Sequence, residues 1–395
     1  MTERHPFYQA ALDMSSQLSA WRRDFHRNPE LGYEETRTAG IVADHLTRLG
    51  LEVRTGVGRT GVVGLLRGTE PGPTVLLRAD MDALPIPDGK TADYASTIKG
   101  KAHLCGHDGH TAMLMTAAHL LAAHGAPRKG HVKFMFQPAE EGLAGAKAMI
   151  DDGVLDHPRV DAAIALHVKP TIASGRIGLG SGTFYAAADR IRIRIIGRGG
   201  HAAAPHQTID SIPIAAQVIT ALQTIASRQT DPLDSVVVTI GQIQGGFASN
   251  VIAPEVELNG TVRTLNPALQ EAMPARIERI IRGVTESFGA TYELDYKFSY
   301  PMVINDEGMV DLIRRTADDT LGTSGWFVER PTMGGEDFAF VAREVPSALF
   351  WLGVGDGTER TSYPLHHPMF DLDENALPVG AAMLAAAALN YLKQA

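Results

Sequence analysis

Between residues 61 and 168 the chain carries GVVGLL (61–66), TVLLRA (74–79), HVKFMF (131–136) and AAIALHV (162–168), short apolar runs bounded by Gly, Pro or Asp. Runs of this kind fit strands buried on both faces. Two stretches of helical spacing separate them, TAMLMTAAHLLAAHG (111–125) and GLAGAKAMIDDG (142–153). The alternation predicts an α/β domain, a mainly parallel sheet covered by helices. Outward from this block, FYQAALDMSSQLSAWRRDFH (7–26) and EETRTAGIVADHLTRLG (34–50) place apolar residues three and four apart and predict helices, the second stopped by Gly50. Past Pro301 the α/β texture returns, with a helix at 307–321, the strand LFWLGVG (349–355) and an Ala-rich final helix.

The texture changes near residue 185. DRIRIRIIGRGG (189–200) alternates Arg with Ile at period two, which predicts a strand with one apolar and one solvated face. A helix at about 210–228, strands SVVVTIGQI and EVELNGTVRTL, a helix after Pro267 and strand TYELDYKF complete a two-layer α+β unit. The expected organisation is a catalytic domain over 1–184 and 299–395, interrupted by a satellite domain over 185–298. The Arg/Ile alternation is read as an exposed satellite edge suited to dimerisation.

Composition narrows the function. The 395 residues hold 36 Lys+Arg against 45 Asp+Glu, a net charge of -9, with no basic run, which argues against nucleic acid or an anionic membrane as partner. The N-terminal MTERHPFYQAALDMSS lacks the apolar core of a signal peptide. The longest apolar run, AAMLAAAAL at 381–389, is far shorter than the ~20 residues of a membrane helix. A single cysteine cannot form an intrachain disulfide. These features predict a soluble, cytoplasmic protein.

Six of the 15 histidines fall between 103 and 131, around the only cysteine, in HLCGHDGHTAML (103–114). A lone cysteine is commonly a small buried apolar residue. Here His107, Asp108 and His110 lie within five positions of Cys105, and the metal reading leads: thiolate and imidazole suit Zn, Mn, Co or Ni. FMFQPAEEG (134–142) ends an apolar strand in Glu140 and Glu141, where ligands bind in open α/β sheets. Adjacent glutamates diverge, so one can ligate a metal while the other reaches a bound water, a design for amide hydrolysis. His167 closes another strand, and His366 and His367 sit in YPLHHPMF. Cys105, His107, Glu141, His167 and one histidine of the pair make five ligands, which suit two metals sharing a bridge. Asp80 or Asp82, at the end of TVLLRADMDALP, can hold a ligating imidazole by its second nitrogen. In the satellite, His201 and His206 of GRGGHAAAPH, Asn250 and Arg263 offer groups to stabilise an oxyanion and grip a carboxylate. MGGEDF (333–338) can start a helix whose glycine N–H groups meet an anion.

Taken together, RADMDALPI, CGHDGHTAM, QPAEEG, ALHV, GRGGHAAAPH, SNVIAPEV, GTVRT, MGGEDF and LHHP resemble, in order from 78 to 368, the metal-dependent amidohydrolase family of hippurate hydrolase and plant indole-acetyl-amino-acid hydrolases. The wider clan holds aminoacylase and carboxypeptidase-type metallopeptidases. The resemblance implies a catalytic α/β domain with an inserted α+β satellite that often forms a dimer interface, hence a homodimer or higher homo-oligomer. It implies two divalent ions per chain: Cys105 as bridging thiolate, His107 and His167 on one metal, Glu141 and His366 on the other. It makes Glu140 the general base, Asp82 the aspartate behind the site, and His201 a stabiliser of the tetrahedral intermediate, with Asn250 and Arg263 holding substrate. Leu104, where many members have Ala, and Asp88, where Glu is common, depart from the pattern without touching a proposed ligand.

The expected activity is hydrolysis of an N-acyl amino acid, hippurate-like, N-acetyl or aryl-acyl, to a carboxylic acid and a free amino acid. The substrate carboxylate would meet Arg263 or the N–H groups near Gly334 and Gly335. Rival readings are a metallo-aminopeptidase or dipeptidase of the same clan, which needs a group for a free amine, and a thiol hydrolase with Cys105 as nucleophile and His107 or His110 as base. A fold retained without activity is disfavoured, because the base and every ligand position are filled.

Overall fold

The computed structural model describes residues 5–125 and 127–394, and they form two compact units. The first runs up to Gly182 and takes in Ile304–Arg330 and the chain from Asp337 on; the second is Thr183–Val303 with Pro331–Glu336. The borders thus differ from 184/185 and 298/299. The short run 331–336 groups with the second unit because the Ala186 N–H is shared between the carbonyls of Thr332 and Gly334, at 3.1 Å from each.

The first unit is built on an eight-stranded sheet in the order Glu52–Val57, Gly61–Arg67, Lys129–Gln137, Glu70–Asp80, Ala162–Ala173, Ser347–Gly355, Ile177–Leu179, Trp326–Val328. Its centre is parallel: Glu70–Asp80 lies between Lys129–Gln137 and Ala162–Ala173, and Ser347–Gly355 continues beyond. Asp80 pairs with Gln137, so these two strands stop together and deliver the chain into adjacent turns at the carboxyl end of the sheet. The strand from Ala162 does not end at His167 as its apolar run predicts. It continues to Ala173, but its last pair with the Glu70–Asp80 strand is Ala165 with Arg78, so His167 stands past the point where those two strands part.

Helices cover the sheet. His107–His124 and Leu377–Gln394 are apolar on nearly every side and pack in the core, against each other and the sheet. The second contains the apolar run 381–389. By length and composition alone it could cross a membrane, but most of it is buried in this unit. Gly380 lets the two helices close, since a Cβ there would meet Met113 Sδ at 2.2 Å. Helix Thr36–Arg48 is pinned to the first by buried His45, whose Nε2 donates to the Met115 carbonyl at 3.1 Å.

The second unit has an antiparallel sheet, Val236–Gly245, Glu255–Thr264, Ala187–Ile196, Thr291–Tyr300, under helices Ser211–Leu222 and Pro267–Ser287. Ile191, Ile193 and Ile195 are buried on one face, while Arg192 pairs with Glu257 and Arg194 with Glu255 and Glu293 on the other. The Arg/Ile strand is therefore interior to the sheet, and the expectation of an exposed edge there is corrected. Its arginines are answered from both flanking strands, as an interior strand permits; the edges are Val236–Gly245 and Thr291–Tyr300.

Burial holds the His45 imidazole neutral, with its pKa lowered from 6.5 to about 4. Its contribution to stability is present above pH 6.5 and lost as the pH falls from 6.5 to about 4, because the unfolded chain takes up the proton first. Urea melts across this window should show a flatter stability profile for His45→Gln than for the unsubstituted chain; parallel profiles would contradict this.

Candidate metal centre and active site

The site is assembled from turns at the carboxyl end of the parallel sheet and the loop that opens helix His107–His124. Gly106 caps that helix at φ 88, and a Cβ there would meet Val168 Cγ2 at 2.3 Å. Only glycine allows this approach. It brings Cys105 and His107 against the strand that carries His167. His107 is thus the first residue of the helix, not part of the loop before it. Cys105, His107 and His167 place Sγ and ring nitrogens within 4.8 Å of one another, and Cys105, Glu141 and His366 do the same. The two triads share Cys105 Sγ. Of the histidine pair, His366 sends Nε2 to 3.2 Å from Glu141 Oε1, while His367 accepts the Met369 N–H and stacks on Tyr363. His366 takes φ 67, with its N–H on the Leu104 carbonyl at 2.7 Å, so the loop is tied to the residue before Cys105.

Glu140 and Glu141 come from a turn that is only nominally helical. Ala139 and Ala144 are left-handed at φ 56 and φ 57, and Glu141 and Gly142 leave helical geometry. Left-handed backbone costs a non-glycine residue ~1–2 kcal/mol. In this turn the adjacent carboxylates do not diverge as adjacency predicts: each has an oxygen within 4.8 Å of a His107 nitrogen and of the other. Glu140 Oε1 also accepts the Asp337 N–H at 3.3 Å.

Asp82 links the parts. Its Oδ1 lies 3.2 Å from His107 Nδ1, its carbonyl oxygen 2.9 Å, and its Oδ2 accepts the Glu141 N–H at 2.9 Å. Nδ1 of His107 is thereby committed, and Nε2 is buried with no hydrogen-bond partner among the described residues. Burial would lower the His107 imidazole, but Asp80, Asp82 and Glu141 outweigh it and raise it to about 10. A proton held there stands where a cation is wanted. His167 is kept neutral, far below its ordinary value, by burial and by His110, the state a ligand needs. The Cys105 thiol is pushed well above its usual range by burial and by Glu141 and Glu140. Such surroundings suppress a free thiolate, which disfavours Cys105 as nucleophile and suits a sulfur that ionises on a metal.

Asp80 and His110 have a different task. His110 Nε2 accepts the Val168 N–H at 3.0 Å, so its proton is on Nδ1, 2.6 Å from Asp80 Oδ1. Both ring nitrogens are used, and His110 latches the backbone beside His167 without a lone pair to spare. Burial would raise Asp80, yet Arg78, His107 and His110 hold it well below the usual carboxylate range. Sequence reasoning missed Arg78, fully buried between Asp80, Gln137 and Asp337, and Glu35, which accepts the Ala139 N–H at 2.8 Å. An arginine inside an apolar strand run and the second glutamate of a helical stretch carry no local pattern that marks them.

The remaining candidates lie in the second unit. A two-residue ribbon pairs His201 with Val251, and the Ala202 N–H reaches the Asn250 carbonyl at 3.0 Å, so His201 and Asn250 are neighbours. His201 Nδ1 accepts the Ala203 N–H at 3.0 Å, which leaves the proton on Nε2, ready to donate. Arg263 is half-buried, held by Thr261 and the Val262 carbonyl, with no carboxylate pair among the described residues. Its cross-strand partner Ala188 is also what a Cβ at Gly335 would meet, at 2.7 Å. MGGEDF does not start a helix; the next one begins at Ala339, and the Gly334 N–H is already given to Thr332 Oγ1 at 3.2 Å.

A Cys–His–His set buried at the end of an α/β sheet, completed by the partly exposed Glu141 and the exposed His366, is a donor set of the kind metal-dependent hydrolases use. The model of peptidase family M20/M25/M40 matches residues 76–390, and the chain belongs to that family, as a metal-dependent amidohydrolase. It is similar to IAA-amino acid hydrolase ILR1-like 2 of Arabidopsis thaliana, 39% identical across 94% of this chain and 84% of that protein. N-acetyl-L-cysteine deacetylase of Bacillus subtilis is 39% identical across 95% and 88%. The crystal structure of the Bacillus subtilis YXEP protein, a dinuclear metal binding peptidase of the M20 family, superposes with a TM-score of 0.85 at 34% identity, covering 97% of this chain and 100% of that one.

Removing the Asp82 carboxylate takes the anionic partner from His107 and the acceptor from the Glu141 amide together, while the Asp82 carbonyl still holds His107 Nδ1. Asp82→Ala should weaken metal binding ~10–100-fold in a chelator competition titration; unchanged affinity would contradict this role.

Proposed function

We propose that this chain hydrolyses the amide bond of N-acyl amino acids with two divalent ions per chain. The observation that carries the reading is the pair of triads that meet at Cys105 Sγ. Cys105 would bridge, His107 and His167 would complete one site, and Glu141 and His366 the other. The donor set fits: a neutral His167, a His107 Nε2 with no hydrogen bond among the described residues and Asp80 Oδ2 3.7 Å away, and a thiol surrounded by carboxylates. It suits Mn, Zn, Co or Ni, with availability deciding among them.

Bound ions there would lower the pKa of water and polarise the amide carbonyl. Glu140 takes the proton of the attacking water and returns it to the leaving nitrogen, a relay that contributes ~10²–10⁴-fold. Asp82 keeps His107 in the tautomer that points Nε2 inward. His201 donates from Nε2 to the oxyanion, a contact worth about 3–4 kcal/mol. The substrate carboxylate is taken by Arg263 or by the N–H groups around Gly335, with Asn250 beside them; the Gly334 amide has its own acceptor in Thr332.

The substrate class rests on the relatives' names, which describe an IAA-amino acid and an N-acetyl amino acid as substrates. We assign the first unit to catalysis and the second to covering the substrate and to assembly as a homodimer or higher homo-oligomer. The single cysteine, placed in the site, agrees with a cytoplasmic location.

Amino-acid release from a panel including hippurate and N-acetyl amino acids should stop on chelation and return with Mn²⁺ or Zn²⁺. Cleavage of dipeptides but not of N-acyl amino acids would favour the aminopeptidase or dipeptidase reading. Glu140→Gln should lose ~10²–10⁴-fold in kcat with full metal content; near-normal turnover would remove Glu140 as the base.

A further inference from the structure

We infer that Glu35 is a positioning residue for the general base, the anchor of a brace formed by residues 30–35 behind the turn that carries Glu140. The inference rests on the reading of Glu140 given above.

The segment touches both turns of the site. The Ala83 N–H donates to the Glu30 carbonyl at 2.8 Å, and Leu31 forms a parallel bridge with Ala83, next to Asp82. Gly32 lies against the other turn: a Cβ there would stand 3.0 Å from both Cα and Cβ of Ala139. The Tyr33 hydroxyl donates to the Leu143 carbonyl at 3.1 Å, and the Arg59 guanidinium sits 4.2 Å over the Tyr33 ring. Glu35 Oε1 accepts the Ala139 N–H at 2.8 Å, and Oε2 accepts the Thr60 hydroxyl at 2.5 Å.

Two features separate this from ordinary packing. Ala139 and Ala144 are left-handed without being glycine, so the turn needs outside contacts to persist. Glu35 is also a fully buried carboxylate whose hydrogen-bond donors are neutral, with no ion pair among the described residues. An uncompensated buried acid is costly to keep, and burial pushes it up to about 7. What it holds is the amide one residue before Glu140. Glu141 has a separate anchor in Asp82, so loss of Glu35 should displace the base more than the ligand.

The test compares Glu35→Ala, Glu35→Gln and Tyr33→Phe as full-length, metal-loaded protein. Glu35→Ala should lose ~10–100-fold in kcat, the scale of a small misplacement of a reacting group. Its KM should stay within ~3-fold and its bound metal unchanged. Glu35→Gln keeps an acceptor for Ala139 and should recover to within ~5-fold of the parent chain. Tyr33→Phe removes one partly exposed hydrogen bond and should reduce kcat a few-fold, which keeps the test alive if Glu35→Ala does not fold. Hydrogen exchange across residues 139–145 should quicken in Glu35→Ala and not in Glu35→Gln. Turnover in Glu35→Ala within ~3-fold of the parent overturns the inference, as does Glu35→Gln failing equally, metal lost in step with activity, or Tyr33→Phe matching the parent. If the parent chain cleaves no N-acyl amino acid, the reading of Glu140 fails first, and hydrogen exchange still reports on the brace.

Discussion

The site is short of positive charge. Asp80, Asp82, Glu140, Glu141 and the Cys105 sulfur converge at one end of a parallel sheet, in surroundings where an unbalanced charge is strongly unfavourable. Arg78 answers Asp80 and Asp337. His107 takes up a proton that burial alone would deny it. That leaves Cys105 forced toward the neutral thiol by the same acids that surround it. Cys105 and His107 would hold a divalent cation there, whose charge would offset these penalties by favouring the thiolate and the neutral imidazole. The two triads are arranged for such a cation.

The fold supplies this convergence through backbone exceptions as much as through regular elements. Parallel strands end together at Asp80 and Gln137, but the side chains meet because Gly106, Ala139, Ala144 and His366 adopt left-handed backbone in the connecting turns. Such conformations persist where surroundings over-determine them. Here the surroundings are specific hydrogen bonds: Asp82 to the Glu141 amide, Glu35 to the Ala139 amide, Leu104 to the His366 amide, and His110 to the Val168 amide. The second unit shows the same economy. One hydrogen bond from Ala203 sets the His201 tautomer and leaves a donor on its far nitrogen.

Much of this could be read from the sequence, for identifiable reasons. Buried parallel strands are continuous apolar runs, and metal-type residues cluster where those runs end, so the α/β class and the residues Cys105, His107, Glu140, Glu141 and His167 stand out. What stayed hidden depends on partners distant in the chain. His110 looks like a third ligand until Val168 is seen to occupy its second nitrogen. The Arg/Ile strand looks like an edge, yet its arginines are paired from both sides, a property of sheet order that period-two alternation does not encode. The glycines of MGGEDF suggest a helix start, but the Gly334 backbone is tied to Thr332 and Ala186. Glu35 resembles one of two solvated glutamates at a helix entrance, since nothing local announces that Ala139, more than a hundred residues later, needs its carboxylate.

The central claim is that one sulfur serves two metals, and X-ray absorption of the Zn²⁺-loaded chain tests it most directly. With two equivalents bound, the account predicts sulfur scattering at about 2.3 Å averaging one Cys105 sulfur per zinc, twice what one chain's single thiolate could give without bridging. Occupancy that stops at one ion per chain, or sulfur averaging half an atom per zinc, would contradict it.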